Sequence, residues 1–505
     1  LVVEVSRINQ FELLIQTDKA SLAELKGNLS QWFSQYAPNF IYDPRFKRHV
    51  WDGKIYFFDR KNCILPSGLL GELKRFSKAM GYDLKLEPGV NINSFSGLTP
   101  SEVSDLITDF VDGLGLPPEL EVRDYQYKYL AKFIQKNHIL AESPTASGKS
   151  LVIYMAIRYA LSIIDKNSKC LIVVPTTQLV EQMYRDFESY RFNSEKYCHR
   201  VYSGSPDGGD RMNTDKRIVI STWQSLYKRP ISDFISVNAI FADEVHQFAA
   251  NKVKNVIRNC SNAWLRMGTT GTLGSNDPCS AWTLAGMFSD PVKYIDTIEL
   301  MDRGYISKLK IEVINLLYSD EDCRSVNGLP YPAEMNFIDQ SKNRADFLSS
   351  LVKKISDSGE NALVLFKRIE FGKRTVTDLE KLGIKVLYVD GSVGVSDREN
   401  VRDTMELGNG VVAVCSYGTF STGINIKNLH NLVFASTTKA EIKVLQSIGR
   451  SLRLHPSKDF ARVWDIVDNM KWKKKNNYAM NHYFERSKIY SANGFTIEHI
   501  EKSLI

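Results

Sequence analysis

The sequence predicts an α/β chain of two doubly wound parallel sheets, preceded by a small α+β domain. Short β-branched runs alternate with helical stretches through most of the 505 residues, the pattern of strand and crossover helix. These runs are nearly continuous in apolar character, as in strands covered by helices on both faces. The pattern occurs twice without sequence repetition, whereas the first stretch of chain is rich in aromatic and basic residues.

In the first α/β half, runs at 170–174, 217–221 and 239–243 follow a loop of small residues. In the second half the runs are 362–366, 385–389, 411–416, 432–436 and 462–467. At about 150 residues per domain the length suits three domains. We expect an accessory domain over 1–95, a first lobe with a helical lead-in over 96–300, and a second lobe with a helical tail over 301–505. Within the accessory domain, Asp52-Gly53 between apolar-alternating runs predicts a hairpin turn. A connector helix is expected near 99–113, ending before Pro117-Pro118. Residues 318–336 are polar and carry Gly328, Pro330 and Pro332, which predicts an exposed excursion. The lysines of 471–475 read as a solvated turn before an amphipathic helix around 478–490.

The net charge of +7 is mild for this length; it permits a nucleic-acid partner without requiring one. Seven cysteines, never spaced C-x-x-C, argue against a disulfide framework or zinc module and for a reducing compartment. No apolar run approaches membrane length and no secretory leader opens the sequence. A cytoplasmic setting is expected.

The chemistry centres on Ser143-Pro144-Thr145-Ala146-Ser147-Gly148-Lys149-Ser150. A loop of small residues between strand and helix lets backbone N–H groups converge on phosphate oxygens. Lys149 would reach the β- and γ-phosphates and Ser150 would hold Mg²⁺. Asp243 and Glu244 end an apolar run, where open α/β sheets place ligands. One carboxylate can hold Mg²⁺ while the other orients an attacking water. Alone, such a pair reads as a solvated strand end; following a Gly-Lys-Ser loop, it reads as its partner. Upstream, Arg123 and Gln126 begin a helix, and the Gln126 amide carries both donor and acceptor for an adenine edge. Arg450 and Arg453, three apart, are expected to share a helix face and to supply charge to a γ-phosphate from a separate domain.

Taken in order, these segments resemble a motif series. RDYQ at 123–126, SPTASGKS at 143–150, VPTTQLVEQ at 174–182, STWQSL at 221–226 and DEVH at 243–246 come first. GTTGTL at 268–273, SYGTFSTGINIKNL at 416–429 and QSIGRSLR at 446–453 complete it. The set is similar to that of the superfamily two helicases. The resemblance implies two RecA-like lobes that use ATP and Mg²⁺, with a single nucleic-acid strand across both. It assigns Lys149, Ser150, Asp243 and Glu244 to Mg-ATP binding and hydrolysis. Pro144, Thr145, Ala146, Ser147 and Gly148 would complete the phosphate cradle, and Arg123 and Gln126 would read the base. Arg450 and Arg453 would finish the site, with Gln446 beside the γ-phosphate. His246, Thr269, Thr270 and Thr272 would couple hydrolysis to lobe movement. Thr176, Thr177, Thr222, Ser421 and Thr422 would contact the phosphate backbone as sequence-neutral donors. Ser143 stands in place of a first glycine, Ala146 is a further departure, and Asn425 replaces the aspartate of many relatives.

YDPRFKRHVWDGKIYFFD at 42–59 and LPSGLLGELKRF at 65–76 resemble the accessory domain of the phage UvsW-like helicases. That narrower family unwinds branched DNA, migrates junctions, regresses forks and dissociates R-loops. In the accessory domain, Arg45, Lys47, Arg48 and Lys54 suit phosphates, and Trp51 or Phe46 suits base stacking. The expected protein is therefore an ATP-dependent DNA helicase or translocase of phage-type recombination, repair and replication. It would be a monomer acting on forked, junction or other branched DNA, with RNA met in R-loops and no membrane partner. Two alternatives remain open on sequence: the same motor working on RNA or as a restriction-type translocase, and an ATP-gated binding or annealing protein without unwinding.

Overall fold

The computed structural model describes residues 1–208, 212, 215–248, 251–271, 273, 278–422, 426–438 and 440–504. Thr272 and Asn425 lie outside the described residues, and the side chains of Ser421, Thr422 and Gln446 are likewise not described. The chain divides into two compact units. One holds Leu1–Ser143 with Gly148–Tyr294; the other holds Ile295–Ile505 with the four loop residues Pro144–Ser147.

The first unit opens with a four-stranded sheet. Its strands lie in the order Ile64–Pro66, Glu12–Gln16, Val2–Arg7, Asp83–Leu86, with only the last pair parallel. Strict alternation sends Val3, Val5, Leu13 and Ile15 inward. There they meet Leu25 and Leu29 of one helix, Phe33 at that helix's end, and Leu73 and Phe76 of another. A separate two-stranded ribbon pairs Ser34–Tyr36 with Lys54–Tyr56. Asp52-Gly53 is thus not the tip of a tight hairpin, because the partner strand ends at Tyr36, well upstream. Gly53 instead turns the chain into the second strand at φ +80°, where a Cβ would meet the Phe40 ring at 2.4 Å. The connector helix Pro100–Asp112 is present, started by a Thr99–Glu102 capping box.

The accessory sheet is docked on the first α/β sheet without a spacer. A Cβ on Gly68 would meet the Ala285 carbonyl at 2.0 Å, and one on Gly286 would meet Pro66 at 3.1 Å. Gly68 therefore needs glycine for close backbone approach, and Gly286 is tightly packed on Pro66. Trp282 packs against Phe33 and Phe57. The deepest tie is Arg266, only 1% exposed. Its guanidinium donates to the Gln10 carbonyl at 2.7 Å and the Ser67 hydroxyl at 3.1 Å, over the Phe11 ring at 4.4 Å. Burial, with Arg7 nearby, lowers its pKa to about 9.

The first large sheet is wholly parallel. Its order is Pro291–Lys293, His138–Glu142, Leu265–Thr270, Val237–Ala242, Lys169–Val174, Ile218–Thr222, Cys198–Val201. The second is also parallel, ordered Val386–Val389, Val412–Ser416, Ala362–Phe366, Asn431–Phe434, Phe460–Asn469, Lys308–Leu317, Ile497–Ser503. The doubly wound class expected from sequence is the one observed, and two RecA-like lobes account for it.

Residues 318–336 depart from expectation. They are not an exposed excursion but the helix Asp320–Val326 and most of Tyr331–Gln340. Tyr318, Cys323, Val326 and Ile338 join the core of the second sheet. The polar residues that suggested a loop are partly structural: buried Glu334 accepts the backbone N–H groups of Tyr478 and Ala479 at 2.9 and 2.8 Å. It thereby caps the start of the helix Tyr478–Ala492. Two enclosed ion pairs fix this unit. Arg344 binds Asp468 through Nε at 2.6 Å and Nη2 at 3.1 Å, and Arg486 binds Asp465 through Nε at 2.9 Å and Nη2 at 2.7 Å. Tyr318 and Tyr490 add O–H donors to the two carboxylates. All seven cysteines are free, and six are buried; Cys63 is partly exposed.

Candidate nucleotide site and nucleic-acid contacts

The phosphate loop joins the strand His138–Glu142 to the helix Lys149–Ile163. Gly148 has φ +79°, and a Cβ there would strike the Gln126 amide nitrogen at 2.4 Å. Ala146 also sits in the left-handed region, at φ +67°. Its departure from glycine therefore carries a conformational cost that glycine would avoid. Lys149 Nζ donates to the Ser143 carbonyl at 3.3 Å and stands 3.8 Å from Glu244 Oε1. The Ser150 hydroxyl lies 3.0 Å from the Tyr190 hydroxyl, a neighbour that no sequence signal indicated.

Asp243 and Glu244 leave the end of the strand Val237–Ala242. Glu244 has φ +53°, so the two carboxylates diverge at a strained backbone position. Asp243 Oδ1 accepts the Thr269 hydroxyl at 2.6 Å and the Glu244 N–H at 2.9 Å. Burial, and then the neighbouring Glu244 charge, push the Asp243 carboxyl above its ordinary range, against the pull of Lys149. Two acids share one ammonium, an excess of negative charge that suits a divalent cation. Among the described residues no cluster of three or more His, Cys, Asp or Glu forms a metal cage.

His246 Nδ1 lies 2.9 Å from the Thr270 hydroxyl and 3.3 Å from Glu244 Oε2. Burial lowers the imidazole pKa, with Glu244 opposing. The acid pair is thus tied to the adjacent parallel strand by the Asp243–Thr269 hydrogen bond, and His246, bonded to Thr270, lies beside Glu244. Upstream, Gln126 is 2% exposed. Its Oε1 accepts the Arg123 N–H at 2.9 Å and its Nε2 donates to the Gly148 carbonyl at 3.4 Å. Arg123 Nη1 donates to the Tyr125 hydroxyl at 2.8 Å.

In the second unit, Arg450 closes the helix Glu441–Ser451 and lies 5.9 Å over the Phe420 ring. Arg453 does not share its helix face, because the helix ends at Ser451 with Leu452 as its cap. The two arginines belong to a helix end and the turn beyond it. Lys458 fastens that end: its buried ammonium donates to the Ser451, Leu429 and Lys427 carbonyls at 2.8, 3.0 and 3.1 Å. Sequence reasoning passed over this lysine, whose burial among polar neighbours leaves no pattern.

Of the proposed backbone contacts, Thr176 caps the helix Thr177–Ser189 by accepting the Leu179 N–H at 3.3 Å. Thr177 is exposed, whereas Thr222 is buried with its hydroxyl 3.2 Å from Ser225. In the accessory ribbon, Arg45 is paired with Asp43 and covers one face of Trp51 at 4.8 Å. Trp51 Nε1 donates to the Lys54 carbonyl at 2.9 Å, and Lys54 lies 5.3 Å over Tyr36. Lys47 and Arg48 are exposed. Phe46 meets Phe40 edge-on. The rings most open to solvent are instead Tyr36, Tyr42 and Tyr56, which sequence reading had not singled out.

Three family models match along the chain: "Type III restriction enzyme, res subunit" over 119–275, "DNA helicase UvsW, N-terminal" over 13–87, and "Helicase conserved C-terminal domain" over 343–455. The ATP-dependent DNA helicase uvsW of Enterobacteria phage T4 is 32% identical over 477 residues, covering 92% of this chain and 93% of that protein. The chain belongs to the UvsW-type superfamily two helicases. The crystal structure of T4 UvsW aligns over 100% of both chains with a TM-score of 0.51 and 29% identity. A more distant relative is putative helicase 22 of a Sulfolobus islandicus filamentous virus, 24% identical over 72% of this chain and 68% of its own length. The helicase MrfA, solved bound to DNA, shares the fold with a TM-score of 0.56 at 16% identity, covering 80% of this chain and 52% of that one.

Proposed function

We propose that this UvsW-type helicase is an ATP-driven motor that remodels branched DNA: junctions, forks and R-loops. The observation that carries the reading is the tie from the acid pair to the strand Leu265–Thr270, through the Thr269–Asp243 hydrogen bond, with His246 between Glu244 and Thr270. Such a tie would pass a change at the acid pair on to the neighbouring strand.

In this reading Lys149 binds the β- and γ-phosphates, and the N–H groups of 145–150 cradle them. Ser150 and Asp243 would hold Mg²⁺, which when bound neutralises phosphate charge. Glu244 would orient the attacking water and receive its proton, with Lys149 Nζ 3.8 Å from its Oε1. Arg123 and Gln126 hold the base. Arg450, Arg453 and Gln446 supply charge and polar contact to the γ-phosphate, so that turnover depends on the second lobe. His246, Thr269, Thr270 and Thr272 transmit the change. Thr176, Thr177, Thr222, Ser421 and Thr422 grip one strand, while Arg45, Lys47, Arg48, Trp51 and Lys54 of the accessory domain hold a further part of the DNA.

A four-way junction incubated with ATP or a non-hydrolysable analogue tests this. The expected result is branch movement with ATP alone. Movement without hydrolysis would leave an annealing protein, equal action on matched RNA would broaden the substrate, and DNA-independent turnover surviving Lys149→Ala would sink the motor.

A further inference from the structure

An open cavity of about 460 Å³ lies within the first unit, between the accessory domain and the first lobe. One wall carries Lys254 and Arg258 of the helix Asn251–Asn259. Four residues apart, they present like charges on one helix face, an arrangement that costs stability by itself. The opposite wall is Ile55, Tyr56 and Phe57, from the exposed strand of the ribbon and the residue beyond it.

The charge on the first wall is not spent internally. Lys254 is half-buried and has no carboxylate partner within ion-pair distance among the described residues, and both burial and Arg258 disfavour its charged form. Arg258 is only within 3.9 Å of Glu12. The one other acid on the lining, Asp59, is taken up by its own turn, accepting from the N–H groups of Lys61 and Asn62 and the Asn62 amide. A half-buried cation held without a partner is an anion site in waiting.

The second wall says which anion. The Tyr56 ring is 49% exposed, and its hydroxyl is anchored to Asp52. Through strand pairing it continues into Tyr36, itself open to solvent, and the basic segment of Arg45, Lys47, Arg48 and Lys54. Tyr36 is stacked on Phe40 and covered by Lys54, so Tyr56 is the exposed aromatic beside the cation pair; cations next to an exposed tyrosine match a nucleic-acid strand, with phosphate on one side and a base on the other. The cavity is also preformed. The glycine-tight contact at Gly68 and Gly286, the Arg266 tie, and the Cys279 thiol against the Tyr36 carbonyl at 3.1 Å hold its two walls together.

We propose that this cavity is a second DNA site, in which Lys254 and Arg258 take a backbone phosphate while Tyr56 carries the adjoining base. Its occupant is the strand parted from the one the motor tracks, so the inference rests on the branched-DNA reading above.

The test is equilibrium binding of a labelled fork and of a single-stranded oligonucleotide across a salt series. Lys254→Met weakens fork binding about tenfold at 0.1 M salt and flattens the slope of log K against log salt by about one. It changes single-strand affinity by less than about twofold, since a lone strand engages the track and not the branch site. Lys254→Arg restores the fork, which separates a lost phosphate contact from a damaged helix. Tyr56→Ala weakens the fork without changing the slope, as loss of stacking does. Unchanged fork affinity and slope in Lys254→Met overturn the site, and so does an equal loss on the single strand. If the unaltered protein moves junctions while Lys254→Met still binds forks normally, only this inference falls; if it moves no junction, the motor reading falls instead.

Discussion

The two large parallel sheets bury charge in opposite ways. In the second unit each enclosed arginine meets one carboxylate in a two-point pair, Arg344 with Asp468 and Arg486 with Asp465, with a tyrosine hydroxyl on each acid. In the first unit, Asp243 and Glu244 share a single ammonium 3.8 Å from one of them. Arg266 is buried against a carbonyl, a hydroxyl and a ring. Balanced burial is scaffold: nothing is gained there by adding an ion. At the acid pair the imbalance marks where a ligand's charge would complete the structure, whereas Arg266, Lys458 and Glu334 settle theirs on carbonyls, a hydroxyl and N–H groups.

The largest expected contrast comes from removing one group of each kind. Lys149→Ala or Glu244→Gln should lower DNA-stimulated ATP turnover about a thousandfold or more while leaving urea unfolding nearly unchanged. A stable variant with retained turnover would erase the distinction drawn for the first unit. Arg344→Met should do the reverse. Stranding Asp468 in the interior costs about 3–5 kcal/mol of stability, read from the urea midpoint, and any fall in turnover should track the unfolded fraction.

Thr269→Val sharpens the first-unit side. Losing a hydroxyl donor to a buried carboxylate costs about 1.5–3 kcal/mol. We expect turnover to drop by ten- to a hundredfold, with strand movement per ATP falling further; a variant slowed in ATPase alone would argue that Thr269 is merely structural. The smallest effect concerns His138, next to Arg266. Burial and the neighbouring Arg266 and Arg7 charges lower its pKa to about 3, beneath the unfolded value. The unfolded chain therefore takes up a proton that the folded state refuses. Its contribution is intact above pH 6.5 and is lost as the pH falls toward 3. Between pH 6.5 and 5.5 the protein should lose about 1 kcal/mol more than His138→Gln, measured by urea unfolding at each pH.

The fold was legible where strands are buried on both faces. Runs such as Cys170 to Val174 and Ala362 to Phe366 appear in place, since apolar continuity is what a covered parallel strand requires. The strands Lys308–Leu317 and Ile497–Ser503 were not legible: the first opens on alternating lysines and the second is an exposed edge. The residues of the nucleotide loop and the acid pair stood out because phosphate chemistry fixes their spacing. Their surroundings did not. Thr269 meeting Asp243, Tyr190 meeting Ser150 and Lys458 gathering three carbonyls all depend on chain segments brought together by the sheets. Arg266 had a faint signal, a lone cation inside an apolar strand, which reads equally as a strand end until its burial is known.

The cysteine distribution has a practical corollary. With the other six thiols buried, Cys63 is the most exposed, and it directly precedes Ile64 on the lining of the proposed branch site, which Cys279 also lines. A maleimide dye should therefore attach first at Cys63, and in Cys279→Ser at that position alone. Its emission would report strand arrival and departure in real time, turning a structural accident into an optical gauge of each round of remodelling.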